Sequence, residues 1–122
     1  MSGGVRLGAF GWATQTVHGA NRRSKRRPFV VVMENNGAFA VIFGRSEPRP
    51  DQRFELVSEQ SAIGRRMGLT KPTHFQGEIA LLPEDFEVRG FFVTQPSDHH
   101  DPDAVAEHEL WLRIRALTAP RR

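Results

Sequence analysis

The chain has no cysteine, so disulfides and thiol chemistry are excluded, and a reducing cytoplasmic setting is expected. No apolar run approaches the length of a membrane span, and Met1-Ser2-Gly3-Gly4 has neither the apolar core nor the cleavage signal of a secretory leader. A soluble intracellular protein with no membrane contact is therefore expected. There is no phosphate-binding glycine loop, no nucleophile elbow, no heptad pattern and no internal repeat. With 122 residues and 39% hydrophobic content, the chain predicts one domain over 1–122 with a real core and no second module.

Against these absences stands a concentration of positive charge. Net charge is only +3, yet Asn21 to Pro28 reads Asn-Arg-Arg-Ser-Lys-Arg-Arg-Pro and leads directly into the apolar run Phe29-Val30-Val31-Val32-Met33. Pro28 biases Arg27 toward an extended backbone, so Arg27 is expected to end a basic loop and root a strand. A guanidinium held there presents a planar fork of donors suited to phosphate oxygens. The alternative is a solvated basic loop or a targeting patch. Acids gather around Pro83–Glu87 and Asp98–Glu109, so an electrically polarised molecule is expected.

The periodicities predict a mainly β chain with one late helix. Val5 to Val17 reads as a long or broken strand, and Phe29–Met33 and Ala38–Phe43 as a hairpin turned by Glu34-Asn35-Asn36-Gly37. Arg45 to Gln52 reads as a loop, Phe54–Val57 as a strand, and Ser58–Met67 as a short helix capped by Ser58 and ended by Gly68. Thr73–Phe75 and Ile79–Leu82 read as two strands parted by Gly77. Such spacing describes a small barrel or sandwich. From Asp101, with Pro102 at the first position, a helix over about 102–118 is expected, with Leu110, Trp111, Ile114 and Leu117 as its apolar stripe and Glu109 spaced to pair with Arg113. Trp111 is also a candidate anchor for a dimer or partner contact, with core packing as the alternative.

With these elements placed, the chain resembles the MazF/PemK-like toxin family, small SH3-like barrels that cleave single-stranded RNA without metal. Lys25-Arg26-Arg27-Pro28 followed by Phe29–Val32 is similar to the family's (K/G)xRPxVVV signature. The strand Ala38–Phe43 leading to Arg45-Ser46 stands where the family has a strand ending in a hydroxyl residue, and Gly68 to Phe75 is similar to its GLxKxSyV stretch. Where the family has an acid–glutamine pair and often a following arginine, this chain has Gly77-Glu78 and Ala80.

The resemblance implies an SH3-like barrel over about 5–95 with a C-terminal helix, a homodimer, no cofactor and no metal. It implies that Arg27 binds the scissile phosphate, stabilises its charge and assists proton transfer, and that Ser46, in place of threonine, donates a hydrogen bond to the same group. His18 and His74 are the candidates for acid–base assistance, each also readable as a surface histidine. Arg22, Arg23, Lys25, Arg26, Arg45 and Lys71 are the expected RNA-binding cations. The implied partners are single-stranded RNA and an antitoxin with an acidic, partly disordered tail. Two alternatives are a barrel of the same kind without catalysis, and an interaction protein using the Trp111 helix. His99, His100, Asp101, Asp103, Glu107 and His108 resemble a ligand set, but the second histidine of a zinc-protease helix is missing, so a solvated connector is expected there.

Overall fold

The computed structural model describes residues 4–16, 24–95 and 101–119. Six strands form one antiparallel sheet: β1 (Ala9–Thr16), β2 (Ser24–Asn35), β3 (Ala38–Arg45), β4 (Phe54–Val57), β5 (Thr73–Leu81) and β6 (Phe86–Phe91). Their order across the sheet is β4-β5-β3-β2-β1-β6. Among the described residues two helices accompany them, α1 (Ala62–Met67) and α2 (Pro102–Ala116). Neither is long and apolar enough to cross a membrane.

The β2–β3 hairpin forms as expected. Asn35 pairs with Ala38, leaving Asn36 and Gly37 as a two-residue turn with φ of 52° and 82°. Both values are positive, as the twist of a tight hairpin demands, and asparagine and glycine are the residues that adopt them with least strain.

Connectivity forces the sheet to curl. Leu82 donates to Phe39 O on β3, and Thr14 on β1 donates to Asp85 O, so residues 82–85 join positions four strand spacings apart. Those spacings amount to ~19 Å in a flat sheet. Three residue steps reach ~11 Å at most. The concave face therefore encloses Ala13, Phe29, Val31, Val41 and Phe43, with Leu82 and Phe86 packed against them. Phe86 meets Phe29 edge to face at 6.4 Å between ring centroids. Among the described residues no ladder joins β4 to β6, so the sheet is curled but open.

The other face carries Phe10, Val30, Val32, Ile42 and Phe75, and α1 and α2 cover it with Ile63, Met67, Trp111 and Ile114. Trp111 is 1% exposed and lies 5.9 Å from the Phe92 ring, which makes it a core residue and removes it as a surface anchor for a partner. Full burial of such a side chain contributes ~1.5–3 kcal/mol, enough to hold the helix on the sheet. The end of α2 reaches β5 at Gly77, where an added Cβ would overlap the Leu117 carbonyl oxygen.

Several expectations are corrected. Thr73 to Leu81 is one continuous strand, because Gly77 serves helix approach and does not turn the chain. Ser61, not Ser58, caps α1 by accepting from Gly64 N, while the Ser58 carbonyl accepts from Ser61. Arg113 pairs with Glu55 at 3.4 Å instead of Glu109, which ties α2 to β4. Strand β6 was not anticipated, since glycine and charges interrupt its apolar positions, and its register shift opposite Phe10 and Gly11 blurs them further.

Candidate functional site

The basic run divides into parts with different surroundings. Lys25, Arg26 and Arg27 lie within β2, paired in register with Gln15, Thr14 and Ala13 of β1, so Arg27 is inside a strand and does not end a loop. Arg22, Arg23 and His18 lie outside the described residues.

A wedge opens beside Arg27. The β2–β3 ladder runs from Asn35 only as far as Phe29–Phe43, beyond which β2 pairs with β1 alone and β3 pairs with β5 through Gly44–Phe75 and Arg45–His74. Pro28, which lacks an N–H, sits one residue past the end of that ladder. Between the splayed strands lies a hollow of about 270 Å³ lined by Lys25, Arg27, Arg45, Ser46 and Glu47. A narrower recess of about 70 Å³ adjoins it, reaching Lys71 and Thr73. On another side of Arg27 opens a larger cavity of about 570 Å³, bordered by Arg45, Arg49 and Glu78.

Arg27 is electrostatically exposed to its own kind. Burial lowers its pKa, and the charges of Arg45 and Arg49 lower it further. Its Nε–H is buried and has no hydrogen-bond partner among the described residues. No carboxylate pairs with Arg27, Lys25 or Arg45 among those residues, whereas Arg49 is held by Glu78 at 3.3 Å. Buried donors and desolvated charges are normally satisfied. An anion seated between Arg27, Arg45 and Lys25 would offset their unpaired charge and relieve the repulsion.

The structure separates the other predicted residues. Ser46 shares the hollow with Arg27, and Lys71 lines the recess beside it. Arg26 departs from the expected RNA-binding set, because Asp85 and Glu87 stand 3.7 and 3.9 Å from its guanidinium. Asp85 and Glu87 therefore meet Arg26 across β1, and the expected separation of charge does not hold there. His74 lines neither hollow: its Nδ1 is 3.3 Å from Arg45 O and its ring meets Phe54 edge to face, so it supports the strand that carries Arg45. His108 and Glu107 pin α2 to the segment after β6, His108 Nδ1 lying 2.9 Å from Val93 O while Glu107 accepts from Val93 N.

Three contributors were not singled out from the sequence. Glu47 places a carboxylate in the hollow, and Arg49 adds charge from the loop between β3 and β4. Gln76, 3% exposed, accepts from Arg49 N at 2.8 Å and donates to Arg49 O at 3.0 Å, fixing that loop against β5. A lone amide between Phe75 and Gly77 in an apolar strand was the available signal for it. No protein-family model, curated protein or solved structure matches this chain.

Proposed function

We propose that this protein is a metal-independent endoribonuclease of the MazF/PemK kind, a cytoplasmic toxin that cuts single-stranded RNA at the hollow between β2 and β3. The observation that carries the reading is Arg27, a partly buried side chain whose charge is opposed by Arg45 and Arg49 and which lines the hollow with Lys25, Arg45 and Ser46. A phosphodiester would offset the charge this cluster leaves unpaired. In the reaction the 2′-oxygen bonds to phosphorus and the bond to the 5′-oxygen breaks, leaving a 2′,3′-cyclic phosphate and a 5′-hydroxyl. Arg27 and Arg45 stabilise the charge gathering on the phosphoryl oxygens, and Ser46 donates to one of them. Glu47 accepts the 2′-hydroxyl proton, and the open hollow admits the water that protonates the 5′-oxygen. His74 acts through Arg45 and not on the substrate.

The SH3-like barrel belongs to the same proposal, supported by the curl that residues 82–85 impose on the sheet. So does the homodimer, supported by exposed Phe54, Leu56 and Leu81 along the β4–β5 edge. An antitoxin with an acidic tail would compete with RNA for the same cations. The second reading is a phosphate-binding module without catalysis. It is favoured by the placement of His74, which leaves no imidazole lining the hollow among the described residues.

Incubation of the protein with a long single-stranded RNA in excess chelator, followed by mapping of the new ends, separates the two. Cuts recurring at one short sequence and ending in cyclic phosphate are expected. Retained RNA binding without any cuts would favour the module.

A further inference from the structure

The cavity of about 570 Å³ that shares Arg27 with the hollow differs from it in character. Phe43, Leu82 and Pro83 contribute apolar surface, and Gln15 and Glu78 contribute polar groups to the same lining. Its volume falls within the ~300–1,000 Å³ usual for small-molecule sites. The recess on the Ser46 side, at about 70 Å³, holds only about two waters' worth of liquid volume, too little for a base. Phosphate and base are thus offered separate compartments with Arg27 in common.

Glu78 restricts which base fits. Arg49 Nε lies 3.3 Å from its Oε2, and the Glu78 side chain stays 54% exposed, so the carboxylate is accessible to a base in the cavity. A carboxylate accepts hydrogen bonds and donates none. Guanine is the base whose pairing edge presents two adjacent N–H donors, at N1 and the 2-amino group, with an acceptor at O6 that the Gln15 amide can serve. Adenine and cytosine offer one amino group beside an acceptor nitrogen, which would face the carboxylate unfavourably, and uracil offers a single N–H between two carbonyls. Single-stranded RNA is characteristically read in this way, by an apolar surface against the base and polar groups along its edge.

Resting on the proposed phosphate role of Arg27, we propose that this cavity is a guanine-selective subsite, with Glu78 as the residue that determines the base adjoining the bound phosphate. The protein as a whole chain is titrated calorimetrically with the 3′,5′-bisphosphates of guanosine, inosine, adenosine, cytidine and uridine, and with inorganic phosphate. Guanosine bisphosphate is expected to bind on the order of tenfold more tightly than the adenosine, cytidine and uridine compounds, as a good bidentate contact discriminates. Inosine bisphosphate, which lacks the 2-amino donor, should fall between. Glu78→Gln removes a negative charge and should tighten all the anions somewhat while bringing the guanosine-to-adenosine ratio close to one. Gln15→Ala should lower that ratio in part. Equal affinity for all the nucleotides in the unaltered protein, with phosphate still bound, overturns the guanine subsite and leaves the Arg27 site standing. Failure of every compound, inorganic phosphate included, overturns the phosphate site and the subsite with it.

Discussion

Arg66 and Arg27 are the same residue type in opposite surroundings. Arg66 donates to Glu107 Oε2 at 2.7 Å and to Phe91 O at 3.0 Å, with its guanidinium 5.3 Å over the Phe10 ring. These contacts stabilise a cation that is otherwise about half exposed, and the result is a staple joining α1, β6 and α2. Arg27 meets Arg45 and Arg49 and keeps a buried N–H without an acceptor. Among the described residues the helix-covered half satisfies its own buried polar side-chain atoms, whereas the wedge between β2 and β3 gathers Lys25, Arg27 and Arg45 without a paired carboxylate, although Glu47 lines the same hollow. Sites are commonly built at such local expense of stability.

The largest expected difference between the two arginines is in activity. Arg27→Lys keeps the charge and loses the bidentate fork, so RNA cleavage should fall by ~100-fold or more, about 3 kcal/mol of transition-state stabilisation, with binding retained. Single-turnover cleavage beside a binding titration measures both. Unchanged cleavage by the lysine variant would remove Arg27 from the chemistry.

In stability the two sites should respond with opposite sign. Glu107→Ala leaves Arg66 without its carboxylate and Val93 N without its acceptor, and should destabilise the fold by ~1–3 kcal/mol in urea unfolding without altering RNA affinity. Arg27→Met retains the packed stem and removes the repelled charge. The folded-state pKa of Arg27 lies below its unfolded value, so the charged form that prevails at working pH is disfavoured by folding, and this cost is present at every pH below the folded pKa. Its removal should raise stability at neutral pH, by a small amount because solvent screens a partly exposed charge, as read in urea unfolding. A destabilised Arg27→Met protein would mean that the guanidinium is already satisfied, and the contrast with Arg66 would collapse.

The smallest effects concern the flanking cations. With Lys25, Arg45 and Lys71 each engaging one phosphate, the logarithmic salt dependence of RNA binding should have a slope of about −2, and each neutralisation should reduce it by ~0.7. Arg26→Gln should leave it unchanged, since Asp85 and Glu87 already neutralise that side chain. A slope that responds to Arg26 and not to Arg45 would relocate the phosphate track to the β1–β6 side of the sheet.

Local chemistry made part of the molecule legible without a structure. The positive φ values at Asn36 and Gly37, the Asp101 cap with Pro102 behind it, the Gly68 stop of α1 and the Trp111–Ile114 stripe are all decided within a few residues, and each is where the sequence pattern places it. The candidate site was legible in its central residues, Arg27 and Ser46, because Pro28 and the valine run mark a strand beside the charges. Its remaining members were not. Strand β6 hides behind a register shift, and Glu47, Arg49 and Gln76 sit in a loop and a strand whose meeting depends on residues 27 positions apart.

By itself, then, the chain determined a mainly β domain with a capped C-terminal helix and an arginine set against an apolar strand. Local backbone preference and hydrophobic period suffice for those. Only the tertiary structure decided which cations are neutralised. Arg26 and Arg27 are adjacent in sequence, yet one meets Asp85 and Glu87 while the other meets Arg45 and Arg49. The reason is physical: successive side chains of a strand leave on opposite faces, and what waits on each face is set by the curl of the sheet and the early end of the β2–β3 ladder.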